Sequence, residues 1–538
     1  MAREKMALRI KFVQIGKIMS NLLTGSQMRA VETAAMAAGE TSGAALMERA
    51  GKAVVGEIYI SWPELYAEKA PRVAILAGPG NNGGDGFVVA RCLAERGWQV
   101  TCGFAGDPAR LGPDAALALE RWKAFGPVFT QEELAAGLRA GMVPDLALDA
   151  LFGTGLSRPV AEESAALLAR LFGQTARRVA VDIPSGLCAD SGRVLGPVPP
   201  AADLTVTFHS AKPGHLLGQG AELCGRLVVA DIGLDAALDP ARAGGPLASV
   251  VGAELCRPAA CKSSLGHKYT HGHALVLTGG PGRTGAARLA ARAALRIGAG
   301  LVTLAVPPAA QQEVACQITA LMLARCGDAE ALSTLLEDVR LNALCLGPGL
   351  GLDAVAREKT EVALGSGRAV VLDADALSLH AEEPEALFAM TRGKPVVMTP
   401  HGGEFARLFP DLAGKLRGTL EHGPGYSALD AARDAAARAG CVVLLKGAAT
   451  VIAAPDGRAR LHSAQGARSA PWLATAGSGD VLAGLITGLL ARGASPFDAA
   501  AQAAWLHVEA ALMRGPGLIA EDLPETVPAV LSALAVEG

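Results

Sequence analysis

The chain has 538 residues, with 49 Lys and Arg against 52 Asp and Glu, a net charge of −3, and 51% apolar residues. That length suits two large α/β domains, and the near-neutral charge excludes a global attraction to nucleic acid or anionic membrane. Aromatics make up 4%, which argues against base-stacking platforms, and the ten cysteines form no CxxC pair, as expected of free thiols in a reducing cytoplasm.

No apolar run approaches the roughly 20 residues of a membrane span. The first 18 residues carry five basic side chains and one Glu and lack the apolar core of a secretory signal. They read as an extended start ahead of Met19 rather than a targeting tail. Residues 24–27 (Thr-Gly-Ser-Gln) have the form of a capping box, opening a helix with Met28, Val31 and Ala35 on one face. Residues 46–51 continue helical.

Residues 72–78 form an unbroken apolar run, the mark of a strand buried on both faces. It leads into Pro-Gly-Asn-Asn-Gly-Gly-Asp-Gly at 79–86, a glycine loop, and then a helix over 87–96. Strand, glycine loop and helix in that order cradle ligands at the carboxyl end of a parallel strand. No Gly-Lys-Ser/Thr follows, so this is not a Walker loop, and it lacks the dinucleotide fingerprint. Asn81, Asn82 and Asp85 instead offer oxygens to a hard cation or partners to ribose hydroxyls. Further strands are expected at 99–104, 144–151, 178–183, 204–208 and 226–232, with helices between them. This alternation predicts a doubly wound α/β sheet. Asp149 and Asp182 each end a strand beside a glycine, and strand-end carboxylates converge on one crevice.

Residues 79–91, 149–158, 182–186, 208–214 (with Lys212-Pro-Gly) and 231–233 resemble the NAD(P)H-hydrate epimerase domain, the YjeF N-terminal family. The resemblance covers 22–240 and implies a Rossmann-like sheet. It implies a potassium ion held by Asn82, Asp149 and Ser185. Asp182 is then the acid/base group touching the hydrated nicotinamide. Asn81, Asn82, Gly83, Gly84 and Asp85 would bind the substrate with it. Gly153, Thr154, Gly155, Leu156, Ser157 and Arg158 would hold its phosphates or ring. Some members of that family are non-catalytic, but Asn81, Asn82, Asp149 and Asp182 are all present here.

Residues 235–258 are rich in Ala, Pro and Gly and read as a linker. The expected domains are 22–240 and 259–535, joined by 241–258. A second α/β series follows, with a strand at 273–277, a glycine loop at 278–285, a helix at 286–297 and a strand at 301–306. His267, His271 and His273 crowd its entry, but no nearby Cys or carboxylate completes a metal site and their spacing is not that of helical ligands. Residues 344–351 form a strand and glycine turn, and 368–377 ends in Asp373-Ala-Asp375. Residues 395–404 bring His401 to a strand end, where alone it reads as an ordinary loop histidine. Residues 441–450 deliver Lys446 to another strand end before a glycine, which favours a phosphate contact. Residues 450–454 and 458–462 read as a hairpin.

The stretch 474–484, Ala-Thr-Ala-Gly-Ser-Gly-Asp-Val-Leu-Ala-Gly, organises this half. Gly477, Ser478 and Gly479 form a bare loop feeding a buried helix over 481–490, interrupted by Gly484 and Gly488. The free N–H groups and positive dipole of a helix start suit a phosphate. Asp480, in the first turn, is repelled by that phosphate. Its place there makes sense as a capping residue, or as the base that takes a proton from a hydroxyl attacking phosphorus.

Residues 284–300, 347–351, 373–377, 401–404, 446–450 and 476–484 resemble the NAD(P)H-hydrate dehydratase domain, of the ribokinase-like superfamily, over 262–516. The resemblance implies a ribokinase-like α/β/α sandwich with Asp480 as catalytic base and the preceding amides as an anion hole. Ala286, Gly349, His401 and Asp480 would line the hydrate site. Lys446, Gly447, Ala448, Ala449, Thr450 and Gly479 would hold the nucleotide. Two departures bear on the pocket's shape: residues 269–272, where the family is Gly-rich, and Arg283, where it often has an aromatic.

The two resemblances imply a bifunctional cytoplasmic enzyme that repairs hydrated NADH and NADPH. The first domain would interconvert the two C6 epimers, and the second would dehydrate the S form with Mg2+ and ADP, giving AMP and phosphate. Homo-oligomerisation is expected, with no nucleic-acid or membrane partner. Two alternatives stand beside this reading: a vitamin or sugar kinase that leaves the phosphate on its product, and a first domain that only binds or oligomerises.

Overall fold

The computed structural model describes residues 21–68, 70–234, 243–263 and 265–536. The first 20 residues, read above as an extended start, and 235–242 of the expected linker lie outside them. Two compact units form, 21–248 with 418–427, and 249–417 with 428–536. Among the described residues no helix is long and apolar enough to cross a membrane.

The first unit opens with helices α1 (Gly25–Ala37) and α2 (Gly43–Ser61). Thr24 and Gln27 close the expected capping box on α1, with the Gln27 N–H donating to Thr24 Oγ1 at 3.2 Å and the Thr24 N–H to Gln27 Oε1 at 3.1 Å. A cap of this kind contributes about 1 kcal/mol. Strands β1 (Arg72–Ala77), β2 (Gln99–Phe104), β3 (Val128–Thr130), β4 (Leu146–Ala150), β5 (Arg178–Val181), β6 (Leu204–Phe208) and β7 (Arg226–Ala230) follow. They pair in parallel in the order β3-β2-β1-β4-β5-β6-β7. Alternate residues of one strand enter two different cores. Val73 and Ile75 pack with α1 and α2, whereas Ala74 and Leu76 pack with the helices Gln131–Arg139 and Glu162–Gly173. This alternation across a sheet covered on both faces explains the unbroken apolar runs of its strands. The strand order reverses between β1 and β4, which opens a crevice at their carboxyl ends.

The expected loop over 79–86 is largely helix. Helix α3 (Asn81–Ala94) starts six residues before the predicted onset. Its glycines serve close packing rather than a long loop. A Cβ on Gly83 would lie 1.8 Å from the Gly78 carbonyl oxygen, and one on Gly86 2.7 Å from the Ala150 Cβ.

Part of the expected linker is also ordered, as strand β8 (Ala248–Val250) and helix Ala253–Ala260, because Val251, Cys256 and Ala259 bury their side chains in the second unit's core. That unit continues with β9 (His273–Leu277), β10 (Leu301–Val306), β11 (Met322–Arg325), β12 (Leu341–Leu346), β13 (Ala369–Leu372), β14 (Val396–Met398), β15 (Val442–Leu445), β16 (Ala449–Ala453) and β17 (Ala459–Ser463). From β15 the order runs β15-β14-β13-β12-β9-β10-β11, all parallel, with β16 and β17 added antiparallel as the expected hairpin. Here the reversal falls between β9 and β12, so their trailing loops flank the crevice.

Helices α4 (Gly285–Arg296), α5 (Ser478–Ala491) and α6 (Pro496–Arg514) cover one face. Helix α5 is continuous, not interrupted at Gly484 and Gly488. A Cβ on Gly484 would lie 2.1 Å from the Ala290 carbonyl oxygen, and one on Gly488 2.3 Å from Ile297 Cγ2. The glycines let α4 and α5 approach with backbone nearly in contact.

Candidate functional site

In the first unit the loops after β1, β4 and β5 meet at the crevice. Asp149 is the last residue but one of β4 and is almost fully buried. Its carboxylate accepts from the Ser185 N–H at 2.8 Å, Ser185 Oγ at 2.6 Å and the Leu151 N–H at 3.1 Å. Burial pushes it up to about 6, opposed by those hydrogen bonds. Asn82 and Asp182 close on one point from two sides. A Cβ on Gly153 would lie 2.8 Å from Asp182 Oδ2 and 3.1 Å from Asn82 Oδ1. Asn82 Nδ2 is buried without a partner.

Asp182 sits in the left-handed region at φ 65° directly after β5. Its Oδ2 accepts from the Thr154 N–H at 3.0 Å, and its Oδ1 accepts from Thr207 Oγ1 at 2.7 Å and Lys212 Nζ at 2.9 Å. The Lys212 ammonium and the Thr207 hydrogen bond hold its carboxyl below the usual range despite its burial. Asp85 is pushed well above its ordinary value by burial, with Asp182 and Glu32 nearby adding to the effect. The structure thus brings together Asn82, Asp85, Asp149, Gly153, Thr154, Asp182 and Ser185, whereas Arg158, Gly155 and Ser157 lie exposed on the same loop. Reading by residue type missed Lys212, Thr207, His215 and Glu32. Lys212 carried a signal, since it stands in the Lys-Pro-Gly motif after β6.

In the second unit four strand ends and one helix start converge. Lys446 follows β15, and its Nζ lies 2.6 Å from Asp373 Oδ1 after β13 and 3.9 Å from Glu404 Oε2. Thr399 Oγ1 donates to the same Asp373 oxygen at 2.8 Å. His401 caps the helix Gly402–Leu408, its Nδ1 accepting from the Gly403 N–H at 2.9 Å, and its Nε2 lies 3.3 Å from Glu404 Oε1. The bare loop expected at 477–479 is already the start of α5, with Gly477 at φ 89° as its N-cap and Asp480 in the first turn.

A Cβ on Gly479 would lie 3.5 Å from Lys446 Nζ, so the ammonium stands at the helix start. Asp480 is raised to about 6 by burial and by Asp373, with Lys446 opposing. Gly349, at φ 66°, packs on Arg283 and Ala286, and the Gly351 N–H donates to Asp375 Oδ2 at 2.9 Å. Lys446, Gly479 and Asp480 therefore form one group, and Gly349 adjoins Ala286. Gly447 and Ala448 are exposed, and Ala449 and Thr450 half-buried, at the start of the hairpin. Asp373, Asp375 and Glu404 fell within the motifs noted in the sequence but were given no role there, although each stands at a strand end or one turn beyond it.

Two family models match the chain: YjeF-related protein N-terminus over residues 43–214 and NAD(P)H-hydrate dehydratase over 274–520. A bifunctional NAD(P)H-hydrate repair enzyme from Moorella thermoacetica is 37% identical, over 96% of this chain and 97% of that one. One from Leishmania major is 34% identical, over 94% and 92%. A solved structure of the ADP/ATP-dependent NAD(P)H-hydrate dehydratase from Bacillus subtilis is 28% identical and covers 53% of this chain and 98% of its own, with a TM-score of 0.44. The chain belongs to the family of bifunctional NAD(P)H-hydrate repair enzymes.

Proposed function

We propose that the chain restores hydrated NADH and NADPH, with residues 22–240 as the epimerase and 259–535 as the dehydratase. The observation that carries the reading is the placing of Asp480, raised to about 6, in the first turn of α5 beside the Lys446 ammonium. A carboxylate poised near neutrality at an anion-binding helix start is suited to take a proton from an attacking hydroxyl.

In the dehydratase reaction Asp480 removes the proton of the C6 hydroxyl, and that oxygen attacks the β-phosphorus of ADP, releasing AMP. Lys446 and the helix-start amides hold the transferring group. The C6 phosphate then leaves with a proton from the neighbouring ring carbon, which restores the double bond. Gly447, Ala448, Ala449, Thr450 and Gly479 hold the nucleotide, and Ala286, Gly349 and His401 line the hydrate site. Mg2+ would supply charge neutralisation of the nucleotide phosphates, and among the described residues no group of three or more His, Cys, Asp or Glu is placed to hold it without them.

In the first unit Asp182 Oδ2 takes the C6 hydroxyl proton. The bond from C6 to the ring nitrogen opens to an aldehyde as that nitrogen gains the proton, and reclosure on the other face inverts C6. Asn81, Asn82, Gly83, Gly84 and Asp85 and the loop 153–158 bind the substrate around it. The donors Asn82, Asp149 and Ser185 suit K+. All three are hard oxygens, and the buried Asp149 anion is balanced only by hydrogen bonds. The ion supplies local positive charge there.

The test is an equal mixture of the two NADH-hydrate epimers, with Mg2+, K+ and either ADP or ATP. Full recovery of reduced-nicotinamide absorbance with ADP, with release of phosphate, supports both activities. Recovery halting at half removes the epimerase. No recovery with either nucleotide overturns the repair reading.

A further inference from the structure

Lys212 is 1% exposed, the most deeply buried ammonium at either site. Burying such a charge is costly unless it is paired and its protons are all accepted. Its Nζ donates to Asp182 Oδ1 at 2.9 Å, Thr207 Oγ1 at 2.7 Å and the Phe208 carbonyl at 3.3 Å, which uses its three protons. Thr207 Oγ1 in turn donates to Asp182 Oδ1 at 2.7 Å. That oxygen is therefore committed to the framework, while Oδ2 takes the Thr154 N–H and faces Gly153.

The backbone is held as well. The Lys212 N–H donates to His215 Nδ1 at 2.9 Å, so the neutral ring carries its proton on Nε2, which donates to the Asp182 carbonyl at 2.9 Å. The Asp182 N–H donates to the Val206 carbonyl at 2.8 Å. These bonds fix a residue in the left-handed region at both ends.

We propose that Lys212, acting with Thr207 and His215, is the positioning residue of the first site, keeping Asp182 ionised and presenting Oδ2 alone to the ligand. The inference rests on the epimerase reading of this unit. The other groups facing Asp182 are Glu32 from α1, Asp85 from α3 and Cys224, none of them cationic. With Lys212 removed, burial and these neighbours all favour a protonated Asp182, which cannot serve as the base. A purely structural pair need not do this, since a buried ion pair is weak evidence for stability.

The experiment follows exchange between the two hydrate epimers by chromatography, in the full chain without nucleotide, across pH. Lys212→Met is expected to lower kcat about 100-fold with KM little changed and to move the acid limb to higher pH. Lys212→Ala should regain activity with methylammonium. Lys212→Met should add no further loss in an Asp182→Asn background. An unchanged circular dichroism spectrum and thermal unfolding profile of the full chain report that the first unit is folded in these variants, and unchanged dehydration of the S epimer with ADP reports the same for the second. An unchanged kcat and pH limb in Lys212→Met, or an independent loss on top of Asp182→Asn, overturns the proposal. If Lys212→Met does not fold, Thr207→Val and the methylammonium response of Lys212→Ala decide in its place. A wild-type chain that exchanges no epimers fails the epimerase reading itself, and this inference with it.

Discussion

Lys446 donates to Asp373 at 2.6 Å, joining the ends of β15 and β13 directly beside the helix start that carries Asp480. The pair sets the charge around the proposed base. Asp373 raises Asp480, and Lys446 lowers it. Asp480 must be ionised to act, so dehydratase kcat/KM should fall as pH drops through about 6. Asp373→Asn removes a negative neighbour and frees the ammonium, which moves that acid limb to lower pH. Lys446→Met moves it to higher pH and raises the KM for ADP. A pH profile with the same limb in all three proteins contradicts this account.

Asp480→Asn keeps the helix-start geometry and removes only the base. Dehydration should fall by at least about 100-fold, the usual worth of a positioned general base. Epimer exchange in the same preparation should be unaffected, because Asp480 belongs to the other unit. Parallel assays of the two reactions on one sample make the comparison.

The contact between α4 and α5 is set by glycine. Gly484→Ala puts a methyl 2.1 Å from the Ala290 carbonyl oxygen, which backbone cannot yield cheaply. The expected loss is about 3 kcal/mol of stability in the second unit. Gly414→Ala, inside the helix Pro410–Arg417 where a Cβ meets nothing within 4 Å, is the control and should stabilise by about 0.5–1 kcal/mol. Denaturant unfolding of the two variants measures the difference.

Potassium should matter to one reaction only. Replacing K+ by Li+ is expected to slow epimer exchange several-fold while dehydration of the S epimer continues. Asp149→Asn should abolish the cation dependence along with most of the exchange rate. Equal sensitivity of both reactions to the swap would place the ion elsewhere.

Acid should weaken the second unit through two buried histidines. Burial holds His507 down to about 4 and His462 to about 3. Both stay neutral in the fold yet take protons near 6.5 when unfolded. Each therefore withdraws stability as pH falls below about 6.5, by about 1.4 kcal/mol per unit until its folded value is reached. Asp480 and Glu509, raised in the fold, act with the opposite sign. His507→Gln should flatten the fall of melting temperature between pH 6.5 and 4 relative to wild type.

Much of the fold was legible because parallel strands buried on both faces leave unbroken apolar runs. Residues 204–208, 273–277 and 301–306 match β6, β9 and β10 end to end. Helix starts were less legible. Both α3 and α5 begin inside glycine-rich stretches, where propensity argues for loop and tertiary packing overrides it. The ordering of 248–258, expected from composition to be linker, depends on Val251 and Cys256 finding a core.

By itself the sequence determined the local chemistry: Asp149, Asp182 and Lys446 stand where a buried strand gives way to a glycine-bearing loop, and Asp480 where glycine gives way to a buried helix. Only the tertiary structure decided which groups control those residues. Asp182 is governed by Lys212, thirty residues on, and Asp480 by Asp373, more than a hundred residues before it. Parallel strands bring distant carboxyl ends to one edge, and electrostatics acts across that space without regard to separation along the chain.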